Sequence, residues 1–185
     1  MRLRPGQPAP LFDTIDIYGR RVRLENFFGY KVLVSFHRAA VCPLCNMRTY
    51  HMISRYPQYQ ARGLAVISFW DSTPQQARQY LDRLPAPFPI IADREHIVYS
   101  RYGLESSLFG ALRARIMRNS VYREAAQKHL GARSPVDAFL AGRSLGRLPG
   151  DFLLTPGLRI ARAYYGHDAG DFMLFSEIDA FAMSA

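Results

Sequence analysis

Cys42 and Cys45 are the residues of this sequence whose types and spacing are best suited to chemistry. They are the only two cysteines among 185 residues. A lone Cys-x-x-Cys in a chain that alternates strands and helices is typical of a redox dithiol. Two cysteines are also too few for the disulfide framework of a small secreted scaffold. The pair therefore predicts thiol–disulfide chemistry.

Two other roles for the cysteines are consistent with the residues around them. His37 and His51 lie near the pair in sequence, but a structural zinc site needs four ligands and no second Cys-x-x-Cys or paired-histidine motif completes the set. Free cysteines also occur as inert core residues. Metal binding and inert burial therefore remain as alternatives.

The cysteines lie in a segment that is typical of a β-α-β unit. Lys31–Phe36 and Gly63–Trp70 are short, apolar and rich in β-branched and aromatic residues, as buried parallel strands are. Pro43–Arg62, between them, has the length and the apolar spacing of a helix, with a predicted face formed by Leu44, Met47, Tyr50 and Ile53 or Ser54. Trp70 is predicted to pack in the core.

Cys42 is predicted to cap the N-terminus of this helix. Pro43 is suited to the first helical position, where its missing N–H costs nothing. Free backbone N–H groups and the helix dipole favour a thiolate at the cap, and Arg38 and His37 are expected to add positive charge. Cys42 is then the attacking thiol with a lowered pKa, and Cys45, one turn along the same face, is the resolving thiol.

Composition indicates a single globular domain spanning residues 1–185. The hydrophobic fraction is 49% and the charged fraction 21%, both near globular averages.

Leu11–Ile17 and Arg21–Leu24 alternate apolar and polar residues and predict a hairpin at the margin of the sheet. Gly63–Trp70 is too short to cross a membrane and Met1–Pro5 lacks the apolar region of a signal peptide, so a cytoplasmic location is expected.

The order of these motifs resembles the peroxiredoxin-like branch of the alkyl hydroperoxide reductase and thiol-specific antioxidant (AhpC/TSA) family. The resemblance begins with Arg4–Phe12, the hairpin, Val32–Arg38 and Val41–Asn46. It continues with Phe88–Asp93, Tyr99–Leu104, Leu148–Leu154, Thr155–Leu158, Arg159–Gly166 and Asp171–Phe181. It implies an α/β, thioredoxin-like three-layer sandwich with a mixed central sheet, an N-terminal hairpin and a helical insertion before the last two strands.

The resemblance also assigns Pro149 to the active site. In thioredoxin-like folds a proline packs against the active cysteines, usually after a cis peptide bond, and Pro149 occupies the matching position.

Two other positions depart from the pattern of efficient peroxide reducers, since Ser35 and Ala39 stand where that pattern has a proline and a hydroxyl residue. A hydroxyl would help to stabilise charge on the peroxide oxygen, so fast peroxide reduction is not expected.

The segment from Glu105 to Pro135 is predicted to be a basic helical insertion. Six basic residues stand against two acidic ones, which leaves a net charge of +4. Its candidate roles are a lid over the active site, a docking face for an acidic redox partner and a contact with anionic lipid. An extra helix with solvated arginines is the simpler alternative. No nucleic-acid-binding motif accompanies the charge.

These observations together predict a thiol-dependent oxidoreductase with an antioxidant role. Cys42 attacks a hydroperoxide or disulfide, Cys45 resolves, Pro149 shapes the substrate groove and Arg38 holds the thiolate. No cofactor is required. A thioredoxin or small thiol would return the electrons, and a homodimer is compatible with the sequence. The alternative is a thioredoxin-like binding module with idle or metal-binding cysteines, which recruits an acidic partner or a membrane surface through its insertion.

Overall fold

A five-stranded mixed β-sheet lies at the centre of the fold. The computed structural model describes residues 1–82, 85–104, 106, 120, 123–124, 127–128 and 146–184. The strands are β1 (Asp13–Ile15), β2 (Arg21–Arg23), β3 (Lys31–His37), β4 (Leu64–Trp70), β5 (Ile90–Ala92), β6 (Gly150–Leu154) and β7 (Ile160–Tyr165). The helices are α1 (Pro43–Ala61), α2 (Pro74–Leu81), α3 (Ile97–Arg101) and α4 (Phe175–Met183), with a 3-10 turn at Leu24–Phe27.

The strand order of the central sheet is β5-β4-β3-β6-β7. β3 pairs in parallel with β4, and β4 with β5, whereas β6 runs antiparallel to both β3 and β7. β3 and β4 are buried along most of their length, as expected for parallel strands covered on both faces. The predicted β-α-β unit and closing hairpin are therefore confirmed.

Two layers cover the sheet. On one face, alternate residues of β3, β4 and β6 such as Val34, Phe69 and Phe152 pack against the N-terminal hairpin and α3. On the other face, Leu33, Val66 and Leu153 pack against α1 and α4, and α2 packs beside the start of α1. Because side chains alternate along a strand, each face presents one apolar set. The predicted three-layer α/β arrangement is confirmed.

The N-terminal hairpin forms its own two-stranded sheet. β1 and β2 are antiparallel, which confirms the hairpin prediction. The Ile17 N–H donates to the Ile90 carbonyl at 2.9 Å, which holds the hairpin beside the edge strand β5. The hairpin therefore lies at the margin of the central sheet, as predicted, without joining it.

The buried face of α1 differs from the predicted one at Tyr50. Leu44 and Met47 are buried as expected, but Tyr50 is 41% exposed. The first part of the helix is buried all round, from Leu44 to Thr49, because it packs against β4, α2 and the segment before α4, which contributes Ala169 and Phe172. Tyr50 instead turns outward, where the Lys128 ammonium lies 4.9 Å from its ring centroid.

Most of the predicted insertion, Glu105–Pro135, lies outside the described residues. Within its described part, the Lys128 N–H donates to the Glu124 carbonyl at 3.1 Å, the spacing of one helical turn. The last helix, α4, starts at Phe175 rather than at the predicted Asp171, because Leu174 is an extended N-cap whose N–H donates to the Glu177 carboxylate at 3.3 Å. No helix in the described parts of the chain is long and apolar enough to span a membrane.

Candidate active site

The two cysteines lie where β3 ends and α1 begins. Cys42 is the N-cap of α1, with extended backbone angles of φ −71° and ψ 117°, and Pro43 occupies the first turn. The Cys42 N–H donates to the Ala39 carbonyl at 2.8 Å, which closes the loop tightly. The predicted capping position of Cys42 is confirmed, and it places the thiol at the positive end of the helix.

Arg38 contacts both sulfur atoms. Its guanidinium Nη1 lies 3.8 Å from Cys42 Sγ, and its backbone N–H donates to Cys45 Sγ at 3.3 Å. Both cysteines are free thiols. The structure therefore brings together three of the four residues predicted for the site.

The surroundings favour ionisation of Cys42 over Cys45. A hydrogen bond from the Cys45 side chain lowers the pKa of Cys42 to about 6, with help from the Arg38 charge and the backbone N–H groups of Cys45 and Leu44, against the opposing effect of burial. Burial raises the pKa of Cys45 well above its ordinary value, and the neighbouring Cys42 adds to the rise. At neutral pH one thiolate and one thiol are thus expected.

The two thiols also differ in access. Cys42 is 6% exposed and Cys45 is fully buried. A substrate that approaches from solvent therefore meets Cys42 first, while Cys45 lies beneath it on the same helix turn. This arrangement would let Cys42 attack a substrate and Cys45 resolve the product, which is the division of roles that the sequence predicts.

His37 does not supply the positive charge expected of it. Its ring is buried, stacks on Trp70 with centroids 4.4 Å apart, and its pKa falls to about 3 because burial disfavours the charged form. The ring is therefore neutral at physiological pH, and the prediction is wrong. Trp70 is fully buried, as predicted.

Pro149 is buried immediately before β6. Gly150 pairs with Phe36, so Pro149 lies beside the end of β3 from which the active loop departs. The prediction of a cis peptide bond before Pro149 is wrong, since the described part of the chain contains no cis peptide bond. The Pro149 carbonyl accepts the Gly166 N–H at 2.9 Å, which continues the β6–β7 pairing through an extended trans backbone.

A buried polar network under α1 was not predicted from the sequence. The Ser35 hydroxyl donates to Asp151 Oδ1 at 2.5 Å, and Arg48 Nη2 donates to Asp151 Oδ2 at 3.2 Å. The Met173 N–H donates to the same carboxylate at 2.9 Å. Ser35, which departs from the family pattern, thus bonds to Asp151. The sequence signal for the network is an aspartate inside an apolar strand.

Asn46 is a second residue that sequence analysis missed. It is fully buried in the first turns of α1, and its side-chain amide donates to the carbonyls of Ala40 and Cys42 at 2.6 and 2.8 Å.

Among the described residues, no group of three His, Cys, Asp or Glu side chains could hold a metal ion.

The relatives of this chain include proteins named peroxiredoxins. Peroxiredoxin Bcp of Escherichia coli is 27% identical over 110 residues, which cover 58% of this chain and 70% of the relative. The chloroplastic peroxiredoxin Q of Sedum lineare is 26% identical over 114 residues, which cover 62% of this chain and 61% of the relative.

Solved structures show the same fold over nearly the whole chain. The structure of peroxidoxin BcpB from Mycobacterium tuberculosis matches with a TM-score of 0.67 and 13% identity, over 98% of this chain and 95% of that one. A mutant of peroxiredoxin 6 from Arenicola marina matches with a TM-score of 0.68 and 14% identity, over 97% and 72%. The fold is therefore thioredoxin-like. The AhpC/TSA family model matches residues 5–124, and the chain belongs to that family.

Proposed function

We propose that this protein is a thiol-dependent oxidoreductase in which Cys42 and Cys45 form a catalytic dithiol. The observation that carries the proposal is the position of Cys42 at the N-cap of α1, beside Arg38 and Cys45, where its pKa falls to about 6. A thiolate is the nucleophilic form of cysteine. Membership of the AhpC/TSA family and the peroxiredoxin relatives support the same chemistry.

With a hydroperoxide, the Cys42 thiolate attacks the outer peroxide oxygen and the O–O bond breaks. The outer oxygen stays on Cys42 with its hydrogen, as a sulfenic acid, and the other oxygen leaves as an alkoxide that takes a proton from solvent to become the alcohol. The Cys45 thiol then attacks the Cys42 sulfur, which releases water and closes a Cys42–Cys45 disulfide. An external dithiol reduces that disulfide by thiol–disulfide exchange and is itself oxidised to a disulfide.

With a disulfide substrate, the same residues act without a sulfenic acid. The Cys42 thiolate attacks one sulfur and displaces the other as a thiolate, which leaves a mixed disulfide. Cys45 then attacks Cys42, releases the second half of the substrate and closes the same internal disulfide. In both reactions Arg38 stabilises the negative charge on Cys42, and Pro149 borders the approach to it.

Slow or selective peroxide reduction is expected because Ala39 lacks a hydroxyl. A preorganised donor of this kind contributes a few kcal/mol to stabilisation of a developing oxyanion. We assign the reductant to a thioredoxin-type protein or a small thiol, and the compartment to the cytoplasm, where thiols are kept reduced. The physiological role is antioxidant.

The test is turnover of the parent, Cys42→Ser and Cys45→Ser on three substrates. Insulin, hydrogen peroxide and an organic hydroperoxide are supplied separately, with dithiothreitol as reductant. The parent is expected to turn over at least one substrate, and Cys42→Ser none. Cys45→Ser is expected to accumulate a mixed disulfide or a Cys42 sulfenic acid, detected by mass spectrometry. Full activity in Cys42→Ser would reject the proposal.

A further inference from the structure

The loop between β3 and α1 is held in place by side chains that do not contact the sulfur atoms. Both the backbone N–H and the backbone carbonyl of Ala40 form hydrogen bonds with side chains. Its N–H donates to the Ser72 hydroxyl at 2.8 Å, and its carbonyl accepts the Asn46 side-chain amide at 2.6 Å. Ser72 and Asn46 are both buried, so water does not compete with these bonds.

The same Asn46 amide also binds the carbonyl of Cys42. That carbonyl accepts two hydrogen bonds, one from Asn46 Nδ2 at 2.8 Å and one from the Asn46 backbone N–H at 3.1 Å. Because two carbonyl oxygens face the amide, its nitrogen must point toward them, which fixes the orientation of the side chain. Asparagine suits this position because its amide has two N–H donors on a short stem.

We propose that Asn46, together with Ser72, is a positioning clamp that sets the reactivity of Cys42. The clamp fixes the peptide groups on both sides of Val41 and Cys42. These groups decide whether Cys42 Sγ lies over the free N–H groups of the first turn of α1 and within reach of Arg38 and Cys45. The inference rests on the proposed role of Cys42 as the attacking thiol.

The clamp predicts how its loss changes the thiol. Without the Asn46 amide, the carbonyls of Ala40 and Cys42 lose their side-chain donor and the loop samples other orientations. The thiolate then loses part of its contact with the N–H groups and with the Arg38 guanidinium. The pKa of Cys42 should rise toward that of an ordinary thiol, while the overall fold remains.

The experiment measures the alkylation rate of Cys42 against pH in the reduced full-length chain, with peptide mass spectrometry to distinguish Cys42 from Cys45. Asn46→Leu removes both donors without adding charge, and Asn46→Ala removes them without adding bulk. In both variants the kinetic pKa of Cys42 is expected to rise from about 6 by about one unit or more, which lowers the alkylation rate about fivefold at pH 6 and about tenfold well below that pH. Ser72→Ala releases one side of the clamp and should give a smaller rise.

Thr49→Val is the matched control. Thr49 is buried about one turn further along α1, and the hydrogen bonds that hold Ala40 and Cys42 do not involve it, so its replacement perturbs the same helix and leaves those bonds in place. The control should leave the kinetic pKa of Cys42 unchanged, even where it changes the unfolding midpoint. If neither Asn46 variant folds, Ser72→Ala decides the question.

A kinetic pKa in the folded Asn46 variants equal to that of the parent would overturn the clamp. So would an equal rise in Thr49→Val, because the effect would then belong to the helix as a whole. The alkylation profile needs no substrate. A parent without turnover therefore rejects the proposed function, and the comparison of profiles still tests the clamp.

Discussion

Arg38 has two separate connections to the dithiol, and they act on different sulfur atoms. Its backbone N–H donates to Cys45 Sγ, which any residue other than proline at position 38 could do. Its guanidinium lies 3.8 Å from Cys42 Sγ, and this contact requires the side chain. Substitution of the side chain therefore changes the electrostatics at Cys42 and leaves the bond to Cys45 in place.

We predict that Arg38→Gln raises the pKa of Cys42. A nearby cation favours the thiolate, so its loss favours the protonated thiol. The kinetic pKa for alkylation should move up from about 6 by about one unit, which lowers the rate about tenfold below that pH and leaves it nearly unchanged above pH 9.

Arg62→Gln provides the control, because it removes the same charge from the exposed C-cap of the same helix. Its alkylation profile should match that of the parent. Equal profiles for Arg38→Gln and the parent would show that the guanidinium does not stabilise the thiolate.

At the level of elements, the site depends on how α1 is attached to β6. The Arg48 guanidinium of α1 bonds the Asp151 carboxylate of β6, and both side chains are buried. The guanidinium also lies 3.9 Å from the ring centroid of Phe175, at the start of α4. One residue thus connects the helix that carries the cysteines to the sheet and to the last helix.

We predict that Arg48→Met strongly destabilises the fold. It leaves the Asp151 carboxylate buried with hydrogen bonds from Ser35 and Met173 but without a cation, and breaking a buried pair in this way costs about 3–5 kcal/mol. Urea unfolding should show a lower midpoint with a similar slope.

The surface pair between Arg162 and Glu177 supplies the comparison, since the Arg162 side chain is 49% exposed. Arg162→Met should change the free energy of unfolding by about 1 kcal/mol or less. If the two variants lose the same free energy, the buried pair has no special role in attaching α1.

The sequence predicted those elements and contacts that depend on local pattern. Cys42 at the N-cap follows from Pro43 and the strand before it, and the β-α-β unit follows from its apolar runs. The buried network did not follow, because Ser35 and Asp151 are 116 residues apart and Arg48 and Asp151 are 103 apart. His37 was misassigned for the same reason, since its neutrality depends on its burial against Trp70 and Phe172.

The charge of the whole molecule bears on its choice of reductant. The formal net charge is +9, and all but two of the 24 basic residues are arginine. A surface of one dominant sign steers partners of the opposite sign, and salt weakens this effect over a Debye length of about 10 Å at 0.1 M. An acidic protein dithiol should therefore associate with this chain faster than a neutral protein dithiol of equal reducing power.

We predict that reduction of the oxidised protein by an acidic thioredoxin slows as ionic strength rises. Steering acts on association, so kcat/KM should fall severalfold between about 10 mM and 150 mM salt while kcat changes little. Dithiothreitol serves as the control, because its attacking thiolate carries a single charge and its rate should therefore depend much less on salt over the same range. The combined replacement of Arg113, Arg115 and Arg118 by glutamine should flatten the salt dependence if the predicted insertion is the docking face. A steep dependence in that variant would assign the attraction to arginines elsewhere on the molecule, and no dependence in the parent would contradict electrostatic steering altogether.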